Sequence, residues 1–126
     1  MEQGAEKMPM PPYLYHATPE GNAQSITQNG LEPRSVGGEE RPYLSMSGTL
    51  QGATTLGRQA SDIIFRVQSV NLNANLWSQR GAGNNEWRGT EVIAPQFLEY
   101  RRNLGNSTQT QWRAVNLYPQ GIRGAL

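Results

Sequence analysis

What the chain lacks narrows it first. It has no cysteine, which removes disulfides, thiolate nucleophiles and cysteine-based metal sites, and which suits a protein that works after passing between redox environments. Its single histidine, His16, argues against a zinc site. Charge is sparse as well: charged residues make up 17% and the net charge is +1, so there is no broad electrostatic footprint for nucleic acid or an anionic membrane. Any RNA contact would have to be local. No segment approaches the ~20 apolar residues that span a bilayer, and the N-terminus carries no basic region followed by an apolar run. Export would therefore depend on a larger parent polypeptide or on a dedicated machine.

What is present fits one domain. The 126 residues can enclose one core but not two, and 14 Gly and 8 Pro among 36% apolar residues predict a loop-rich protein with strands rather than a helical bundle. Residues 1–12 are polar and then proline-rich, and read as a linker or tail, leaving 13–126 as the domain.

The clearest local structure is Tyr13 to Leu31, YLYHATPEGNAQSITQNGL. Tyr13, Leu14 and Tyr15 are strand formers. Thr18-Pro19 then supplies a capping hydroxyl and a proline suited to the first helical position, Glu20 complements the helix dipole, Ala23 and Ile26 keep an apolar face, and Gly30 ends the helix. His16 falls at the end of the strand. Further on, Ser35 to Arg41 reads as a loop, Pro42 to Ser45 as a short strand, and Thr49 as the cap of a helix through Leu56 that ends near Gly57. Ile63 to Val67 is the most β-rich run and predicts a central strand. Leu72 to Trp77 is open between helix and strand, and Ser78 to Asn85 reads as a loop. Thr90 to Ile93 and Phe97 to Tyr100 read as strands, Asn103 to Gln111 as a connection, and Trp112 to Tyr118 as an edge strand. Strands and short helices without βαβ regularity predict an α+β fold with mostly antiparallel pairing.

The Tyr-His-Ala-Thr run, with Asn22, Ile26, Gly30 and Leu31 behind it, resembles the opening motif of the NAD-using ADP-ribosyltransferases, in the branch related to poly(ADP-ribose) polymerases and diphtheria toxin. The resemblance continues in order. Pro42-Tyr43-Leu44-Ser45-Met46-Ser47 looks like the second motif, a strand tyrosine before small polar residues, and Thr90-Glu91-Val92-Ile93 looks like the third, a glutamate that begins a strand late in the domain. It covers roughly residues 13–101 and implies a small split β-sandwich. It also implies NAD as co-substrate, held by His16, Thr18, Tyr43, Ser45 and Ser47, with no metal. Tyr43 would stack on nicotinamide. Glu91 would be the catalytic carboxylate, aimed at positive charge developing on the ribose, with Glu86 as the competing candidate. Arginine-modifying toxins carry an acid or glutamine two residues before that glutamate. Here the position is Gly89, so arginine is not the expected acceptor.

The segment Ser78 to Arg88 lies where relatives recognise the acceptor, and Arg80, Glu86, Trp87 and Arg88 are its candidate contacts. The size and the linker also resemble the C-terminal toxin domain of a bacterial Rhs-type polymorphic effector. That implies mono-ADP-ribosylation of a macromolecule in a competing bacterium: a translation component, protein in preference to RNA, modified in the target-cell cytoplasm. It further implies a cognate immunity protein, a monomer and no membrane partner. Two alternatives stand beside it. An NAD-dependent RNA 2′-phosphotransferase begins with a similar histidine strand and would draw on Arg34, Arg41 and Arg58, and a non-catalytic binding module could share the fold.

Overall fold

The computed structural model describes residues 9–33, 42–57, 62–80, 85–102 and 111–119. The loop expected at 35–41, the connection at 103–110 and the arginines 34, 41 and 58 lie outside the described residues. The elements run β1 (Tyr13–Thr18), a 3-10 turn (Glu20–Asn22), α1 (Ala23–Asn29), β2 (Leu44–Ser47), α2 (Leu50–Gly57), β3 (Ile63–Gln68), β4 (Trp77–Arg80), β5 (Glu86–Gly89), β6 (Leu98–Arg102) and β7 (Arg113–Ala114), with further 3-10 turns between them. The strands form one sheet in the order β4-β5-β2-β1-β3-β6-β7, every pair antiparallel. This is an α+β fold with few short helices, consistent with a small split β-sandwich.

The apolar residues explain the layering. β3 is buried at Ile63, Ile64, Phe65 and Val67, so it is covered on both faces, as its unbroken apolar run requires. One face carries the main core, in which Leu14, Met46, Phe65, Trp77, Trp87 and Leu98 meet Ala23 and Ile26 of α1. The other carries a small cluster of Ala17, Ala53 and Ile64 beneath α2, and leaves room beside it for polar side chains. On that second face Arg66 lies between the rings of Tyr13 and Trp112, 4.2 and 4.3 Å from their centroids, which ties the chain entering β7 back to the sheet.

Local signals were obeyed with several exceptions, the last of them Trp112 to Tyr118, which is not one edge strand: only Arg113–Ala114 pairs, and Val115–Leu117 turns away as a 3-10 turn that buries Val115. The Thr49 hydroxyl caps α2 by accepting from Gly52 N at 2.9 Å, and Gly30 ends α1 at φ 84°. Thr18 does not cap α1: its hydroxyl accepts from the Asn22 side chain at 2.8 Å, and the helix is entered through the 3-10 turn after Pro19. Ser78 is not in a loop but in β4, which forms a hairpin with β5 through Trp77↔Gly89 to Arg80↔Glu86. As a consequence the late strand begins at Glu86. Residues 90–92 lie in no strand, and Ile93 makes only an isolated bridge to Leu31.

Candidate functional site

Period-two alternation and the strand register bring four polar side chains onto the second face of the sheet. Tyr43, just before β2, and Ser45 on it stand beside Arg88 and Glu86 of β5, with Ser45↔Arg88 and Ser47↔Glu86 as cross-strand partners. Ser45 Oγ donates to Glu86 Oε2 at 2.5 Å, and Arg88 Nε donates to the same oxygen at 3.0 Å. The Arg88 guanidinium lies over the Tyr43 ring, 4.3 Å from its centroid. The Glu86 side chain is 15% exposed, so the carboxylate is sheltered and still reachable.

His16 meets β2 from the neighbouring strand and from the other side of the sheet: it alternates with Leu14 and pairs with Phe65, both in the main core, and it touches β2 at a backbone carbonyl. β1 and β2 meet at a single register pair, Tyr15↔Ser47, whereas β1 and β3 stay paired from Tyr13↔Gln68 to Thr18↔Ile63. Past Tyr15 the ladder between β1 and β2 is not continued. At that seam the imidazole Nδ1 of His16 donates to the Ser45 carbonyl at 3.3 Å, taking an acceptor that a continuous ladder would have used. A carbonyl can only accept, so Nδ1 carries the proton, and in the neutral ring Nε2 is the acceptor nitrogen.

Burial pulls the Glu86 carboxyl upward, but the bonds from Ser45 and Arg88 and the charges of Arg88 and Arg80 outweigh it and hold the group below the ordinary carboxylate range. At neutral pH Glu86 is therefore an anion. Fixed in place by two donors, such a carboxylate can accept a hydrogen bond from a bound hydroxyl and stabilise positive charge that develops beside it. Tyr43 can offer an aromatic face to a flat ring once the guanidinium of Arg88 lifts from it.

Several expected site residues lie elsewhere. Glu91 accepts from Trp77 Nε1 and from Asn73 N, both at 2.9 Å, so its carboxylate closes the base of the β4–β5 hairpin and is held against a core indole. Ser47 is fully buried, and its Oγ accepts from Thr49 N at 3.1 Å, shaping the turn into α2 rather than facing a ligand. Thr18 is buried, with its hydroxyl engaged by Asn22. Trp87 is 3% exposed in the main core because it alternates with Glu86 and Arg88 along β5, and it cannot contact an acceptor. Arg80 is exposed and paired across the hairpin with Glu86, so it stands beside the carboxylate.

Of the groups that NAD would require, an ionised carboxylate, a hydroxyl and a tyrosine ring stand together on the second face, and the imidazole bonds the backbone of the same strand, β2, at the break in the sheet. Among the described residues no group of acidic or histidine side chains could hold a metal ion, and no helix is long and apolar enough to cross a membrane. The chain matches no protein-family model, and no curated protein is significantly similar to it.

Proposed function

We propose that the protein is an NAD-dependent ADP-ribosyltransferase in which Glu86, not Glu91, is the catalytic carboxylate. The observation that carries the reading is the Ser45–Glu86–Arg88 group beside Tyr43 and the His16 seam. The family pattern asks for a glutamate that begins a late strand, and Glu86 is the first residue of β5. When bound, NAD supplies an activated ribosyl group whose loss of nicotinamide leaves positive charge on the sugar. Glu86 accepts from a ribose hydroxyl and stabilises that charge, Ser45 and Arg88 hold it ionised, and His16, its ring fixed by the Ser45 carbonyl, orients the sugar. The acceptor enters past the hairpin end at Arg80. We further propose a mono-ADP-ribosylating toxin domain of an Rhs-type effector, directed at a macromolecule of a competing cell and neutralised in its producer by an immunity protein.

Calorimetric titration with NAD tests the binding half of this reading. His16→Ala and Tyr43→Ala each weaken NAD binding about tenfold or more, the loss of roughly one charge-free hydrogen bond or ring contact of ~1.4 kcal/mol. Unchanged affinity in both variants contradicts the assignment.

A further inference from the structure

Two arginines on the second face make the same kinds of contact and differ in what encloses them. Arg66 bonds Glu99 at 2.7 Å and lies between the rings of Tyr13 and Trp112, which leaves its side chain 18% exposed. That arrangement is a tie within the fold. Arg88 bonds Glu86 at 3.0 Å and lies over the Tyr43 ring at 4.3 Å, but its side chain is 30% exposed and borders solvent.

The place that Arg88 fills has a defined chemistry. An aromatic face attracts a cation through its ring quadrupole, the carboxylate beside it attracts the same charge, and a planar group makes the fullest contact with the ring. When Arg88 swings into solvent, the bond from Ser45 and the charge of Arg80 still favour the ionised form of Glu86. The part that Arg88 plays for the carboxylate then passes to an incoming cation.

We propose that Tyr43 and Glu86 form a subsite for a flat cation, that Arg88 occupies it as an internal stand-in, and that the subsite thereby selects the cationic nicotinamide ring of NAD over neutral rings. The proposal deepens the ADP-ribosyltransferase reading and rests on it for the identity of the ring. A cationic ring restores both interactions that the guanidinium gives up, whereas a neutral ring restores only the contact with Tyr43. Reduced NAD, whose ring is neutral, is therefore disfavoured. Cleavage changes the product in the same direction: the glycosidic C–N bond breaks with its electron pair on the ring nitrogen, the positive charge passes to the ribose, and the acceptor takes it up by bonding the sugar and losing a proton. The nicotinamide left behind is neutral, and Arg88 displaces it from Tyr43. Arg88 is thus a positioning residue that competes with substrate and clears product.

Titration of the full chain with nicotinamide methylated on its ring nitrogen, a flat cation, and with nicotinamide itself tests this without turnover, read by NMR at the Tyr43 ring protons. In wild type the cation binds about tenfold more tightly than the neutral ring. Arg88→Ala tightens both about tenfold because the internal competitor is gone, whereas an arginine with a merely structural role would give a loss. Glu86→Gln removes most of the preference for the cation. Equal affinity for the two probes in wild type, unchanged or weaker binding of both by folded Arg88→Ala, or no response of Tyr43 to either probe overturns the proposal. Neither probe carries a ribose, so the outcome is separate from cleavage by Glu86: the subsite stands if the probes behave as expected while labelled NAD stays intact, and it falls if NAD is cleaved while Arg88→Ala gains nothing.

Discussion

Glu86 and Glu91 illustrate how partners, rather than residue type, assign roles. Glu86 is held ionised by Ser45 and Arg88 on an accessible face, whereas Glu91 spends its carboxylate on the Trp77 indole and the Asn73 amide. Because the folded state lowers the Glu86 pKa, its stabilising contribution is complete above the unfolded value of ~4.3 and is lost as pH falls through the lower folded value. Urea unfolding of Glu86→Gln followed below pH 5 should therefore show a flatter acid limb than wild type, and an identical limb contradicts the shift. Glu91→Gln keeps an oxygen acceptor and should cost less than ~1 kcal/mol, while Glu91→Ala leaves two donors unpaired and should cost about 1–3 kcal/mol in the same measurement. Equal costs for the two variants would show that the bonds to Asn73 and Trp77 carry no stability. The sequence pattern made Glu91 the more attractive carboxylate because Val92-Ile93 resembles a strand, yet Val92 is 55% exposed and Ile93 bonds Leu31 instead of a sheet neighbour.

At the scale of elements, β1, β3, α1 and α2 were legible because their signals are local: β-branched runs, a threonine cap and a terminating glycine. Gly30 is obligatory. At φ 84° a Cβ would lie 2.0 Å from the Ile93 carbonyl oxygen, and that carbonyl accepts from Leu31 N at 3.0 Å, so the helix end and the 93 bridge are built together. Gly30→Ala should destabilise by about 2 kcal/mol or more in chemical denaturation, and a loss under ~0.5 kcal/mol would contradict this geometry. The β4–β5 hairpin was not legible. Its polar strands, Ser78-Gln79-Arg80 and Glu86-Trp87-Arg88, read as a loop, because the evidence for pairing is non-local: the Trp77 ring covers Gly89, where a Cβ would come within 2.3 Å of it. The two tryptophans flanking a glycine- and asparagine-rich stretch were the available signal for a hairpin. Misreading it displaced the late strand and, with it, the carboxylate, and it also turned Trp87 outward when alternation puts it in the core.

For the molecule as a whole, the sheet order places β5, β2 and β1 side by side, so residues from the start, middle and late parts of the chain share one surface although nothing in their spacing requires it. The break between β1 and β2 leaves the Ser45 carbonyl to His16 instead of to a ladder. If, as proposed, this surface cleaves NAD through Glu86, a comparison of two carboxylate variants reveals it. Wild type, Glu86→Gln and Glu91→Gln are incubated with labelled NAD and a bacterial lysate, after circular dichroism has shown each to be folded, and label entering protein and RNA is measured. Transfer is expected from wild type and from Glu91→Gln, with a fall of about 100-fold or more in Glu86→Gln, the loss of a few kcal/mol of transition-state stabilisation. Full transfer by folded Glu86→Gln, or no consumption of NAD by wild type, would contradict the proposal.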